Sequence, residues 1–187
     1  MEGGALMKRR ALAAAPLFLL AAPAFAQLKI PANKTPAKWY AVQVEDRAFT
    51  VEMPGVPDHR LLNDASARGT AFVLHSYSLD LGGYSYVVQT ALYPADVDVT
   101  RPRVLLQAAL DERATALAGR KWTRVDWREM QGGAVADSTG PVPGGNAVRQ
   151  LVLLKGRRFV SLAFLGASAG ASGPEAERFF RSLKLQA

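Results

Sequence analysis

The chain has no cysteine. That absence removes a disulfide framework, a lipid-modified cysteine anchor, thiolate metal ligation and cysteine nucleophiles together. Histidine is nearly absent as well. His59 and His75 are the only two among 187 residues, so a catalytic triad or an imidazole metal site would have to use one of them. They stand sixteen apart without an HExxH or other paired-ligand spacing, which is a poor metal pattern. No metal and no cofactor is therefore expected. Long apolar runs are also lacking. The longest, Ala11 to Ala22, has twelve residues, whereas a membrane-spanning helix needs about 20. No glycine-rich phosphate loop precedes a helix, and no aromatic-basic nucleic-acid motif occurs, so nucleotides and nucleic acids are not expected partners.

What is present at the N-terminus reads as an export signal. Lys8, Arg9 and Arg10 form a positive segment, Ala11 to Ala22 an apolar one, and Ala24-Phe25-Ala26 a small-x-small cleavage pattern behind Pro23. Cleavage after Ala26 is expected, by a Sec or a twin-arginine route, since Arg9-Arg10 followed by Ala11-Leu12 matches part of the twin-arginine pattern. The expected location is periplasmic or secreted. Removing 26 of 187 residues leaves 161, enough for one domain with its own core. The signal carries Glu2, Lys8, Arg9 and Arg10, so 20 Lys and Arg remain against 15 Asp and Glu, a net charge of +5.

The rest of the chain alternates. Residues 27–38 read as an extended arm and 39–187 as a single domain. Trp39 to Val44 and Ala48 to Met53 read as strands, the second stopped by Pro54, which cannot donate to a ladder. Thr70 to Leu81 and Tyr84 to Tyr93 flank Gly82-Gly83, a two-residue loop suited to a primed turn. That loop sets a register with His75 opposite Thr90 and Tyr77 opposite Val88. A helix is expected between Thr100, as N-cap, and Gly119, with Leu106, Leu110, Ala114 and Leu117 at helical spacing. Lys121 to Met130 is another strand. Gly132 to Asn146, rich in glycine and with two prolines, reads as a loop or a loose hairpin. Val148 to Leu154 and Arg157 to Leu165 pair around Lys155-Gly156. A last helix begins at Pro174 and presents Ala176, Phe179, Phe180 and Leu183 as an apolar stripe. Tight turns between strands imply an antiparallel sheet. The expected class is α+β, an antiparallel β-sheet covered by two amphipathic helices.

Two stretches carry a resemblance. The early strand Phe49-x-Val51-x-Met53-Pro54 and the late helix end Phe179-Phe180-x-Ser182-Leu183-Lys184-Leu185 resemble small exported bacterial proteins of unknown function. More distantly they resemble the PsbP-like fold, named for an extrinsic photosystem II protein. The resemblance implies that fold and a non-enzymatic role, and no catalytic residues come with it.

Candidate chemistry is sparse. Gly166-Ala167-Ser168-Ala169-Gly170 is formally G-x-S-x-G, placed between a strand and a helix as a nucleophile elbow would be. No Asp or His follows Ser168, however, and the helix starts only at Pro174, so a small-residue linker is the better reading. His75 falls mid-strand on the apolar face, and Asp58-His59-Arg60 sits in the loop after Pro57, so these four residues could rim a cleft. Asp96 and Asp98 are too few oxygens for calcium, which takes six to eight ligands, and read as turn and capping residues. The basic residues are more suggestive. Arg120, Arg124 and Arg128 share one strand face, and Lys155, Arg157 and Arg158 mark a hairpin tip. Such a patch suits an anionic partner, either an unknown protein or a small anionic ligand. The sequence thus supports an exported, soluble, non-enzymatic binding or scaffold protein of the cell envelope. Its alternatives are a periplasmic hydrolase using His75 or Ser168, and a peripheral binder of anionic envelope components through the basic strand face.

Overall fold

The computed structural model describes residues 38–44, 46–117 and 121–186. The expected signal (1–26), the arm up to residue 37, Gly119 and Arg120 lie outside the described residues. In chain order the elements are β1 (Tyr40–Gln43), β2 (Phe49–Met53), β3 (Asp58–Ala65), β4 (Ala71–Asp80), β5 (Ser85–Leu92), α1 (Pro102–Ala116), β6 (Arg124–Met130), β7 (Gly133–Val142), β8 (Asn146–Lys155), β9 (Arg158–Ala167), a 3-10 helix (Ser168–Ser172), α2 (Pro174–Arg181) and β10 (Lys184–Leu185). The strands make two antiparallel sheets. The large one runs β3-β4-β5-β9-β8-β7-β6 and the small one β1-β2-β10.

The Gly82-Gly83 turn sets the β4–β5 register. Gly82 takes φ 71°, which only glycine adopts freely, and the Leu81 N–H donates to the Tyr84 carbonyl at 2.9 Å. Leu79 then faces Tyr86, Tyr77 faces Val88, and His75 faces Thr90, as the loop length requires. β9 joins the other side of β5, with Phe164 level with Tyr86.

Both faces of the large sheet are buried. On one, Tyr86, Val88, Leu151, Leu162 and Phe164 pack against Phe49, Val51 and Met53 of β2 and Phe179 and Phe180 of α2. On the other, Phe72, Leu74, Tyr93, Val152 and Phe159 meet Leu106, Ala109 and Leu110 of α1. The helices therefore lie on opposite faces instead of sharing one, and a second sheet covers much of the α2 side. The cause is visible in β8 and β9, where residues 151–154 and 159–166, nearly all apolar, are all buried and leave neither face to water.

Two segments differ from expectation. Asp58-His59-Arg60, read as part of a loop, instead begins β3 (Asp58–Ala65), an edge strand mostly exposed to water. Its charged residues lack an apolar alternation because only one of its sides meets another strand. Gly132 to Asn146, read as a loop or a loose hairpin, is nearer the second: Gly133 to Val142 forms β7, an inner strand that turns tightly into β8. Its small residues serve close packing: a Cβ on Gly133 would lie 2.9 Å from the Leu154 carbonyl oxygen. Pro141 falls beyond the end of β6, where β7 has a strand partner on one side only. Thr100 is not the N-cap of α1. That position is Arg101, and the Thr100 hydroxyl donates instead to Asp98 at 2.5 Å.

The two stretches carrying the resemblance meet each other. Lys184 and Leu185 pair with Thr50 and Phe49. The Ser182 hydroxyl accepts the Glu52 N–H at 2.8 Å and donates to the Phe179 carbonyl at 2.7 Å. On the other side Gln131 grips the same tail, donating to the Leu183 carbonyl at 3.0 Å and accepting the Leu185 N–H at 2.7 Å. Replacing Ser182 by Ala leaves the Glu52 N–H without its acceptor in a part-buried position. The substitution should cost about 1–2 kcal/mol, read as a lower urea midpoint at unchanged m-value.

Candidate functional site

α2 lies across the strands β6, β7 and β8, and a cleft of about 470 Å³ opens between them. Strand alternation decides what lines it. The β6–β7–β8 register places Arg124 level with Thr139 and Arg149, Asp126 level with Asp137, and Arg128 level with Val135, all on the α2 side. From above, α2 presents Glu177 and Arg181, one turn apart.

Arg149 is the most deeply buried of the arginines here. Its guanidinium forks onto Asp137, with Nε at 3.1 Å from Oδ1 and Nη2 at 2.9 Å from Oδ2. Its remaining nitrogen, Nη1, reaches Glu177 at 2.5 Å. The plane of the group lies over the Phe180 ring, 4.5 Å from its centre. The side chains of Arg149 and Asp137 are only 14% and 9% exposed. Burial alone would lower the Arg149 pKa, but hydrogen bonds and charge from Asp137 and Glu177 outweigh it and hold the group above its ordinary value. Asp137 also takes Arg128 at 3.3 Å, and Glu177 also takes Arg181 at 3.2 Å. The result is a chain of charges, Arg128–Asp137–Arg149–Glu177–Arg181. It alternates in sign and has an exposed arginine at each end. Arg124 pairs separately with Asp126 at 2.5 Å on the rim.

The basic patch read from the sequence divides accordingly. Arg124 and Arg128 line this cleft, whereas Arg120 lies outside the described residues. Lys155, Arg157 and Arg158 do not line it. Arg158 instead ion-pairs with Asp46 in the β1–β2 turn and donates to Thr90 at 3.4 Å, and the Arg157 carbonyl accepts the Tyr93 N–H. The hairpin tip is thus tied into the two sheets.

The residues read as a cleft rim gather elsewhere, on the β3 edge. β3 pairs His59 with Tyr77 and Leu61 with His75, which sets the two histidines on neighbouring rungs of one face. Their ring nitrogens, His59 Nε2 and His75 Nδ1, stand 3.3 Å apart, and His59 stacks on Tyr77 with centroids 4.3 Å apart. A sixteen-residue spacing conceals this contact, because it depends on a strand that was not expected. Asp58 and Arg60 are on the opposite face of β3 from His59, by alternation. Ser168 is far from both histidines. His75 is level with Val160 through Thr90, and β9 runs seven more residues to Ala167, roughly 23 Å of strand. The Ser168 hydroxyl donates to the Gly145 carbonyl at 2.8 Å.

No protein-family model matches the chain, and no curated protein matches its sequence. Among solved structures the chain is similar to the solution structure of cyanobacterial PsbP (CyanoP) from Synechocystis sp. PCC 6803. The TM-score is 0.56 at 10% identity, over 80% of this chain and 94% of that one. The fold is PsbP-like. At so low an identity the likeness is one of backbone, so the charges on this PsbP-like scaffold are interpreted from this chain alone.

Sequence reasoning missed Asp137, Arg149, Glu177 and Arg181. One signal was available. Arg149 alternates with Ala147, Leu151 and Leu153, so a charge stands on the buried face of a central strand, which requires a partner. That partner, Asp137, sat in the glycine-rich segment read as a loop or a loose hairpin.

Removing one side of the buried pair should be costly. Arg149→Ala is expected to lose about 3–5 kcal/mol in urea unfolding, whereas Arg124→Ala, with its side chain 73% exposed, should stay within about 0.5 kcal/mol. The acidic pair before α1 supplies a pH test. Asp98 holds the Thr100 N–H and hydroxyl, and Asp96 joins Ser66 at 2.5 Å and Thr70 at 3.1 Å. The Ser66 hydrogen bond, assisted by Thr70, lowers the Asp96 pKa from 3.8 against its desolvation. A carboxyl lowered in the folded state stabilises above its unfolded value, and that stability is lost as pH falls through the folded value. Below pH 3.8, Tm should therefore fall more steeply in the wild type than in Asp96→Asn.

Proposed function

We propose that the protein is an exported, non-enzymatic binding protein of the cell envelope, and that the cleft between α2 and β6–β8 receives an anionic group. That group is a carboxylate or phosphate borne by a small ligand or a partner protein. Export rests on the segment Lys8–Arg10, the apolar run to Ala22 and the Ala24–Ala26 cleavage pattern. Among the described residues no helix is long and apolar enough to cross a membrane. The observation that carries the binding reading is the alternating chain of charges. Two carboxylates are shared among three arginines, and both ends of the chain, Arg128 and Arg181, are cations at the mouth. An incoming anion between those ends continues the alternation, and guanidinium groups take carboxylate and phosphate with charge-assisted, often bidentate bonds. The hydrolase alternative gains no support from the positions of Ser168 and His75, which share no hydrogen bond.

Polyglutamate serves as the probe, with binding followed calorimetrically on the mature protein. The affinity should fall steeply as salt rises above about 0.1 M. Arg128→Gln with Arg181→Gln should weaken binding about tenfold or more, while His75→Ala and Ser168→Ala leave it unchanged. Binding insensitive to both the double substitution and salt would overturn the proposed site. A phenotype lost in His75→Ala or Ser168→Ala at full stability would favour the hydrolase instead.

A further inference from the structure

β3 ends the large sheet on the side away from the arginine cleft. It pairs with β4 without a bulge, from Asp58 opposite Ser78 to Ala65 opposite Ala71. Among the described residues no strand meets its other side. Edge strands are ordinarily guarded against a second chain by shortness, a bulge, proline or charge, lysine above all. β3 is eight residues long and has neither lysine nor proline. The layers that cover the sheet stop short of it as well. Leu61 is 60% exposed, and Val73, its diagonal neighbour on β4, is 41% exposed. Charge is the one guard left, and the charges of β3 complement their own copy.

Arg60 and Asp64 lie on the same face of β3 as Leu62, by alternation. Four residues of strand hold them roughly 13 Å apart, too far to pair with each other. Among the described residues neither forms an ion pair, and the Asp64 carboxylate accepts the Ala65 N–H at 2.8 Å. Consider a second β3 laid antiparallel on this edge about a two-fold axis normal to the sheet. Opposed residues must share a face, so the axis passes through a residue. Centred on Arg60, it opposes two arginines; centred on Leu61, it opposes Asp58 to Asp64. Centred on Leu62, it sets Arg60 opposite Asp64 in both directions. Leu62 then faces its own copy, and on the other face Leu61 falls diagonal to the second Leu61, which covers part of the exposed apolar surface.

We propose that the β3 edge is a dimerisation surface whose partner is a second copy of this chain, added strand to strand in the register that sets Arg60 against Asp64. The two large sheets then run on as one. The arginine clefts lie at its far ends, so anion binding there is independent of this contact.

Sedimentation velocity on the mature protein over a range of concentrations reads the contact. A reversible dimer is expected, weakening as salt rises. Arg60→Asp and Asp64→Arg should each weaken it at least about tenfold, because each sets like charges opposite one another. The two substitutions together oppose unlike charges again and should recover the dimer. A wild type that stays monomeric throughout, single reversals that leave the dimer intact, or a combined variant no better than the singles would each overturn the proposal. If Asp64→Arg does not fold, hydrogen exchange on the wild type and Arg60→Asp takes its place. The outward-facing β3 amides should be slowed by rising protein concentration in the wild type alone. Equal protection in both proteins at every concentration would mean that the edge is covered within one chain, by residues 27–37, and would refute the second copy.

Discussion

The hydrogen bond from the Glu52 amide to the Ser182 hydroxyl joins residues 130 apart, and the second layer of the molecule depends on the closure it marks. β1 and β2 come from the start of the described chain, α2 and β10 from its end. Neither pair can bury its apolar face alone. A three-stranded sheet with a two-residue edge strand has little to recommend it except the large sheet beneath. Ser182 links the end of α2 to β2, β10 pairs with β2, and Gln131 fixes the tail to the β6–β7 turn. Phe179, wholly buried against Tyr86, adds about 1.5–3 kcal/mol of apolar burial.

This closure also creates the cleft. Without α2 over β6–β8, Arg149 would stand on an open sheet face and its fork onto Asp137 would be an ordinary surface pair. With α2 in place, Glu177 and Phe180 enclose the guanidinium. A buried ion pair of this sort is a weak source of stability, since apolar side chains of equal volume often do as well. Its presence among Leu151, Leu153 and Val135 is what the proposed anion-binding role of the cleft would account for. The arginine ends at Arg128 and Arg181 fit that account, because a purely structural network could have closed on itself.

Much of the scaffold was legible in the sequence, and for physical reasons. Two-residue turns fix register, so Gly82-Gly83 by itself specified His75 against Thr90. The stripe Ala176, Phe179, Phe180 and Leu183 is buried as its spacing requires. Edge and inner strands were harder. β3 has only one neighbouring strand, so Asp58, Arg60 and Asp64 are tolerated and the period-2 signal disappears. β7 is packed so tightly that glycine and alanine replace the branched residues which usually announce a strand, as Gly133 against the Leu154 carbonyl illustrates. The candidate site suffered from both failures. Asp137 was concealed in β7, and the His59–His75 contact was concealed by β3. Arg124 and Arg128 were visible because β6 alternates openly along the sheet edge.

The most direct test of the proposed cleft is a map of where an anion binds. Titration of the isotopically labelled mature protein with polyglutamate, followed by amide and arginine side-chain NMR shifts, supplies it. Shifts should concentrate on β6, β7, β8 and α2, with the Arg149 and Arg128 side chains among the largest. Shifts confined to the Lys155–Arg157 hairpin tip or to the His59–His75 edge, or no saturable shifts at all, would contradict an anion site under α2.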